Sequence, residues 1–224
     1  MEQLQANLNH IASLSGKSLT DLLTEFGVQS IMQLTLEQVV SIASRYDYSL
    51  DNLLNYNCAV DKTKLQKIKL IILDVDGVLT DAGMYFMEGG DQMKKYNAKD
   101  GMAIMALPSH DIEVGIISSG FKLEMVKARA ELLNIRHIYV GREPKLAILN
   151  EWCKQLSLSL DEVAIIGDDI NDLPVMRAVG FSACPSDAVT TVKTEVDLVL
   201  RKAGGKGCVR EFVDEYLLAQ PLTR

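Results

Sequence analysis

From about Lys64 onward, short apolar runs rich in β-branched residues alternate with stretches whose apolar residues repeat at helical spacing. Helical spacing is clearest in KLEMVKARAELL (122–133) and KLAILNEWCKQL (145–156). The apolar runs are IKLIIL (68–73), IEVGII (112–117), RHIYV (136–140), EVAIIG (162–167) and VDLVL (196–200). This alternation predicts a doubly wound α/β domain, Rossmann-like, with a parallel sheet flanked by helices. Because ligands bind at the carboxyl ends of such strands, function is expected in the residues that follow each run.

Residues 1–60 have a different pattern, with short helical segments and no strand signal. Segments 18–28 and 35–54 resemble helices of a Cro/repressor-type helix-turn-helix domain, but only QSIMQL separates them, so the recognition helix is shortened or lost. Acids also outnumber bases here, which opposes DNA binding. We interpret 1–60 as a helical interaction or oligomerisation module, followed by a linker at 61–68 and the α/β domain at 69–224.

The charge and composition of the whole chain narrow its partners. A net charge of −7 repels the phosphate backbone and argues against nucleic acid as the main partner. No apolar stretch reaches the roughly 20 residues that span a bilayer. Four scattered cysteines without zinc-site spacing are typical of a reduced intracellular protein. We therefore expect a cytoplasmic protein without a membrane partner, acting on a small substrate.

The segment DVDGVLTD (74–81) directly follows the apolar run IKLIIL. Two carboxylates at the end of a buried strand are costly unless they bind a cation or a substrate. The segment resembles the D-x-D-G-x-x-[TS] signature of haloacid dehalogenase phosphatases, and the acid at the second position favours phosphatase over dehalogenase chemistry. In such a site Asp74 would attack phosphorus, and Asp76 would protonate the leaving alkoxide and then deprotonate water.

The other motifs of that superfamily follow in order, each after its own apolar run. The second motif is a serine, either Ser118 or Ser119 in VGIISSG, and the third is Lys145, after Pro144. The fourth is GDDINDLPVM (167–176), which contains Asp168, Asp169 and Asp172. Three acids within five positions repel one another unless a cation lies among them, which indicates a divalent metal.

The resemblance implies roles for these groups. Magnesium would be held by Asp74, the main-chain carbonyl of Asp76, and Asp168. Asp169 and Asp172 would orient those ligands. Lys145 and Ser118 would hold phosphate oxygens in the transition state.

The 37 residues between Thr80 and Ser118 are too few for the large helical cap that many superfamily members insert there. In 82–97, the runs MYF and MKKY flank glycines, which predicts a β-hairpin in place of a cap. The hairpin carries Met84, Tyr85, Phe86 and Met93. Because soluble proteins rarely expose such an apolar patch, we expect a homotetramer assembled through residues 82–97.

The hairpin, the segment YNAKDG, the fourth motif and the tail RKAGGKGCVREFVDEYLLAQ together resemble the 3-deoxy-D-manno-octulosonate 8-phosphate phosphatase family over about residues 67–220. Relatives acting on acylneuraminate 9-phosphates share most of these features. The resemblance implies a phosphorylated sugar acid as substrate, a place in lipopolysaccharide biosynthesis, and sites completed by a neighbouring subunit. The alternatives are an acylneuraminate 9-phosphate phosphatase, and a non-catalytic regulatory or scaffold protein.

Four positions bear on which substrate is selected. Arg129 matches a family arginine that meets the substrate across the subunit boundary. Ser119 and Gly120 lie where the substrate-binding loop is expected, in a run, 118–121, that has one inserted residue relative to these families. These families follow the loop glycine with arginine or glutamate, whereas this chain has Phe121, so neither selecting charge is present.

Overall fold

A computed structural model of the chain describes residues 1–88, 92–120 and 123–218. The chain divides into two compact units, Met1–Val60 and Asp61–Arg224. In the described ranges, no helix is long and apolar enough to cross a membrane.

The first unit is entirely helical. Its helices are α1 (Glu2–Leu14), α2 (Leu19–Glu25), α3 (Leu36–Arg45) and α4 (Leu50–Asn55). Ser18 and Thr35 begin α2 and α3 with capping boxes, in which each hydroxyl accepts from a backbone N–H of the first turn. Between them, where a recognition helix would stand, lies only the 3₁₀ turn Ile31–Gln33.

A buried polar side chain, Asn7, ties the two ends of the first unit together. Asn7 is fully buried, and its amide donates to the carbonyls of Leu53 (2.9 Å) and Tyr56 (2.8 Å). Its oxygen accepts from the backbone N–H of Cys58 at 3.0 Å. The first helix is thereby joined to the segment that follows α4. The apolar core around it includes Leu8, Ile11, Leu22, Ile42 and Leu53.

The second unit is built on a six-stranded sheet in which all strands are parallel, which confirms the predicted fold class. Its strands are β1 (Leu70–Leu73), β4 (Glu113–Ser118), β5 (His137–Val140), β6 (Val163–Ile166), β7 (Phe181–Cys184) and β8 (Leu198–Val199). The strand order is β5-β4-β1-β6-β7-β8. The central strand, β1, is buried throughout and pairs with β4 and β6, so the ends of these three strands lie side by side.

Helices connect the strands. They are α5 (Lys62–Leu65), α6 (Ala98–Ala106), α7 (Leu123–Leu132), α8 (Lys145–Leu156), α9 (Leu173–Met176), α10 (Thr190–Glu195) and α11 (Cys208–Glu211), the last continuing as a π-helical segment (Phe212–Leu217). The short helix α5 lies within the stretch predicted as a linker.

Strand β7 has no counterpart among the apolar runs identified in the sequence. Its residues, FSAC, include small side chains with weak strand preference, so the pattern gave little signal. All four are buried, because β7 lies between β6 and β8. Because both faces of β7 are buried, its residues do not alternate between apolar and polar, and the pattern typical of a half-exposed strand is missing.

The interval between Thr80 and Ser118 holds the predicted hairpin, α6 and a 3₁₀ turn (Leu107–His110). The hairpin strands are β2 (Tyr85–Phe86) and β3 (Gln92–Met93), which pair antiparallel. Its predicted turn, at 89–91, lies outside the described residues, as do Phe121 and positions 219–224 of the tail. The described part of this interval contains no helical cap domain.

We predict that Asn7→Ala destabilises the first unit by about 2 to 4 kcal/mol, because it removes three buried hydrogen bonds. Urea denaturation, with hydrogen exchange of the α1 amides, measures the effect. Asn55→Ala is the control: Asn55 is exposed and its side-chain amide donates to Asp51 at 2.9 Å on the surface, so the change should stay within about 0.5 kcal/mol. Equal stability of the two variants would contradict the role of Asn7.

Candidate active site

The candidate site lies where β1, β4 and β6 end. Asp74 directly follows β1, Ser118 is the last residue of β4, and Asp168 follows β6 by two residues. The backbone N–H of Asp74 donates to the carbonyl of Ile166 (3.1 Å), which holds the first and fourth motifs together. The predicted convergence at the carboxyl edge of the sheet is therefore present.

Lys145, at the start of α8, bridges two of the acids. Its Nζ donates to Asp74 Oδ1 at 2.7 Å and to Asp172 Oδ1 at 2.6 Å. The side chain of Lys145 is 4% exposed and that of Asp172 is 0%. The other oxygen of Asp172 accepts from the backbone N–H groups of Asp168 (3.1 Å) and Asp169 (3.4 Å). Asp172 thus orients both Lys145 and the loop that carries Asp168.

Burial and mutual repulsion shift the pKa values of these groups. Burial, and then the carboxylate of Asp172, raise the pKa of Asp74 to about 7, although Lys145 opposes the shift. Burial and the neighbouring carboxylates, Asp74 first, raise the pKa of Asp168 to about 8. Burial disfavours the Lys145 ammonium, but Asp74 and Asp172 outweigh it, so the pKa of Lys145 is raised. One lysine therefore does not neutralise the cluster.

The acids fit a divalent cation. Asp74, Asp168 and Asp172 each offer an oxygen, and these three oxygens lie within 4.8 Å of one another. Asp168 Oδ1 is buried, and no residue in the described ranges forms a hydrogen bond with it. Both oxygens of Asp172 already accept hydrogen bonds, which leaves Asp168 and Asp74 as the better ligands. A hard cation such as Mg²⁺ suits this all-oxygen set and relieves its repulsion.

Glycine is required where the loops of the first and fourth motifs meet. Gly77 has φ = +95°, and a Cβ built on it would lie 2.0 Å from Asp168 Oδ2. Its carbonyl oxygen lies 2.0 Å from where a Cβ on Gly204 would stand. Gly205 N–H donates to the carbonyl of Val78 at 2.9 Å. The AGGKG loop (203–207) therefore packs against the backbone of the loop that carries Asp74 and Asp76.

Asp76 points its side chain into the same region. The hydroxyl of Thr80 donates to Asp76 Oδ1 at 3.3 Å, and Lys94 Nζ forms an ion pair with the same oxygen. Lys94 follows β3 of the hairpin, so the hairpin contributes directly to the site. The sequence did not single out Lys94, because nothing in MKKY distinguishes it from Lys95.

The two candidate serines of the second motif have different surroundings. Ser118 is 2% exposed, and its hydroxyl accepts from the backbone N–H of Gly120 at 3.2 Å. The hydroxyl of Ser119 accepts from the side-chain amide of Asn171 at 3.1 Å. Asn171, another residue that the sequence did not single out, thus links the second-motif loop to the fourth-motif loop.

A cavity of about 300 Å³ opens among these groups. Its walls combine the acids with the second-motif loop and the hairpin. The lining residues are Asp74, Asp76, Ala82, Met84, Lys94, Ser118, Ser119, Gly120, Val126, Val140, Asp168, Asp169 and Asn171.

Arg129 does not line this cavity in the part of the chain that the structure describes. Its guanidinium lies over the ring of Tyr96 (5.5 Å to the centroid) and donates to the carbonyl of Asn97 at 3.4 Å. Gly101 allows this close approach, since a Cβ there would lie 2.5 Å from Arg129 Nη2. Arg129 therefore contacts α6 and the end of the hairpin rather than the acids of its own site.

Comparison with known proteins agrees with this geometry. A model of the haloacid dehalogenase-like hydrolase family matches residues 134–212. The 3-deoxy-D-manno-octulosonate 8-phosphate phosphatase of Escherichia coli K12 is 42% identical over 157 residues, which is 70% of this chain and 83% of that protein.

Solved structures of the same phosphatase are also similar. The Yersinia pestis enzyme has a TM-score of 0.68 at 38% identity, covering 71% of this chain and 85% of that one. The Moraxella catarrhalis enzyme, in complex with magnesium, phosphate and a KDO molecule, has a TM-score of 0.68 at 34% identity. The match covers 71% of this chain and 91% of that one. This chain belongs to the 3-deoxy-D-manno-octulosonate 8-phosphate phosphatase family of haloacid dehalogenase-like hydrolases.

Proposed function

We propose that this protein hydrolyses 3-deoxy-D-manno-octulosonate 8-phosphate, releasing phosphate by way of an aspartyl-phosphate on Asp74. The observation that carries the proposal is the cluster of Asp74, Lys145, Asp168 and Asp172, of which Asp74 and Asp168 line a cavity together with Asp76. The substrate is taken from the relatives, whose names specify it.

Asp74 is the proposed nucleophile. Lys145 holds Oδ1 of Asp74, so Oδ2 is the oxygen that attacks phosphorus in line with the leaving sugar oxygen. A bond forms between Asp74 and phosphorus as the bond from phosphorus to the sugar oxygen breaks. Asp76 gives its proton to that oxygen, later takes a proton from water, and the resulting hydroxide displaces phosphate from Asp74.

Asp74, Asp168 and the main-chain carbonyl of Asp76 would hold Mg²⁺, with Asp169 and Asp172 orienting the ligands. Bound there, magnesium supplies positive charge next to the phosphoryl oxygens. The carboxylates alone would repel a phosphate, and Lys145 offsets only part of their charge. Lys145 and Ser118 are the proposed contacts for the phosphoryl oxygens, since both are buried beside Asp74.

The sugar end of the substrate would meet the second-motif loop, where Ser119 and Gly120 line the cavity. These groups offer hydrogen bonds but no charge. We propose that Arg129 contributes to the site of a neighbouring subunit, because it lies away from the acids of its own chain.

We further propose a homotetramer assembled through the hairpin. Met84, Tyr85, Phe86, Met87 and Met93 are each more than half exposed. An apolar patch of this kind is stabilised when a second copy covers it. We also propose a cytoplasmic location, because all four cysteines are buried thiols, a state that a reducing compartment maintains.

The substrate assignment predicts a higher kcat/KM for 3-deoxy-D-manno-octulosonate 8-phosphate than for N-acetylneuraminate 9-phosphate. Phosphate release is measured with magnesium and with a chelator, and the chelator should abolish it. A preference for the neuraminate would overturn the substrate assignment.

Asp74→Asn keeps the shape of the side chain and loses the nucleophile, so turnover should fall by at least about 10³-fold. Turnover by this variant near the wild-type rate would exclude Asp74 as the nucleophile.

A second prediction concerns Asp76. Asp76→Asn should lower kcat/KM for a sugar phosphate by about 10²-fold or more. The loss for 4-nitrophenyl phosphate should be much smaller, because nitrophenolate leaves without a proton. The comparison is made on kcat/KM, which covers the steps through departure of the leaving group and leaves out the later hydrolysis of the aspartyl-phosphate, where Asp76 acts as base for both substrates. Equal losses would mean that Asp76 is not the acid.

Sharing of sites between subunits is tested by complementation. An Asp74→Asn chain is mixed with an Arg129→Ala chain under subunit exchange. If Arg129 acts across an interface, some mixed sites combine an intact nucleophile with an intact arginine, and activity rises above that of either parent. No rise despite verified exchange, or a monomer at micromolar concentration, would refute shared sites.

A further inference from the structure

Lys94 is the charged residue that the described part of the hairpin places in the catalytic cavity, beside Ala82 and Met84. Its neighbours face outward: Met93 is 51% exposed, and the side chain of Lys95 is 59% exposed. The side chain of Lys94 is only 12% exposed. Alternation along an extended strand explains why adjacent residues point to opposite sides. Burying an ammonium is costly without a partner, so its surroundings are informative.

The partner is one particular oxygen of Asp76. Lys94 Nζ forms an ion pair with Asp76 Oδ1, and the hydroxyl of Thr80 lies 3.3 Å from the same atom. The second oxygen, Oδ2, faces the second-motif loop: a Cβ placed on Gly120 would lie 4.0 Å from it. The two oxygens therefore differ, with one held by Lys94 and Thr80 and the other directed toward the cavity.

We propose that Lys94 is a positioning residue for Asp76, which fixes Oδ1 so that Oδ2 meets the leaving-group oxygen. The inference rests on the proposed function, in which Asp76 is the general acid and base. Proton transfer requires the two oxygens to approach within about 2.6–3.2 Å, and a carboxylate free to rotate meets this condition only part of the time. Lys94 removes that freedom.

A different role for Lys94 is to bind the carboxylate of the sugar acid, since it is the one cation among the described residues that line the cavity. The two roles differ in the substrates they affect. Positioning of Asp76 matters for every substrate whose leaving group needs a proton. Binding of a carboxylate matters only for substrates that contain one.

The experiment compares Lys94→Met with Lys95→Met on a series of substituted phenyl phosphates, from good to poor leaving groups, none containing a carboxylate. Lys95 is the matched control, because it is the adjacent lysine and pairs with Asp81 at 3.4 Å on the surface. We expect Lys94→Met to lower kcat/KM, which covers the steps through departure of the leaving group, by about tenfold to a hundredfold for the poorest leaving group. For 4-nitrophenyl phosphate the loss should be below about threefold, because that leaving group needs no proton. Lys95→Met should follow the wild type throughout.

A double variant makes the test specific to Asp76. If Lys94 acts through Asp76, then Lys94→Met adds no further loss in an Asp76→Asn background. Should Lys94→Met fail to fold, Lys94→Cys measured before and after aminoethylation gives the same comparison, because the four native cysteines are buried. Aminoethylation restores a lysine-like side chain and should restore the turnover of poor leaving groups.

Several results would overturn the inference. These are a Lys94→Met variant that behaves like Lys95→Met, equal losses across the series, additive losses in the double variant, and a defect confined to the KM of sugar-acid phosphates. The last result would assign Lys94 to the substrate carboxylate. If the wild type releases phosphate neither from the series nor from sugar-acid phosphates, the proposed function fails and the inference fails with it.

Discussion

The second unit depends on how a cluster of buried acids is kept together. Asp74 and Asp172 share the ammonium of Lys145, and Asp168 lies within reach of both. Three carboxylates and one lysine leave uncompensated negative charge in a poorly hydrated place, which the raised pKa values of Asp74 and Asp168 reflect. Removing a single partner from such a cluster strands a buried charge and is strongly destabilising. The same deficit of positive charge attracts a divalent cation. The uncompensated acids that destabilise the fold therefore also provide a cation site, and a bound cation favours binding of phosphate.

Close packing at three glycines holds the loops that carry these acids next to one another. Gly77 approaches Asp168, Gly204 approaches Gly77, and Gly167 leaves room for Asp172, where a Cβ would lie 2.5 Å from its Cγ. The first two contacts lie between segments that are distant in the chain, and the third lies within the fourth-motif loop. A methyl group at any of these glycines would displace a loop of the site, so the AGGKG loop supports the position of Asp74, the proposed nucleophile. Asp100 extends that support, since its buried carboxylate accepts from the backbone N–H of Arg210 at 2.8 Å.

The hairpin shows how a small element serves two purposes. Its exposed side chains form an apolar surface suited to another copy of the chain, while Lys94 turns inward and pairs with Asp76. A helical cap would cover the cavity from above, but the described part of this chain has only the hairpin at that position. In the proposed tetramer, assembly and catalysis would be connected, because a shift of the hairpin on assembly would move Lys94 as well.

The sequence by itself determined the alternation of strands and helices, the bounds of α8, and the order of the catalytic motifs, because each depends on local periodicity or on a contiguous segment. It missed β7, whose small residues carry weak strand preference, and it could not decide between Ser118 and Ser119. Only the tertiary structure separated Lys94 from Lys95, joined Asn171 to Ser119, and directed Arg129 toward Tyr96 rather than toward the acids of its own site. These outcomes depend on which way a side chain points and on which distant segment it meets. Both are set by packing across the sheet edge, for which adjacent letters of a sequence carry no signal.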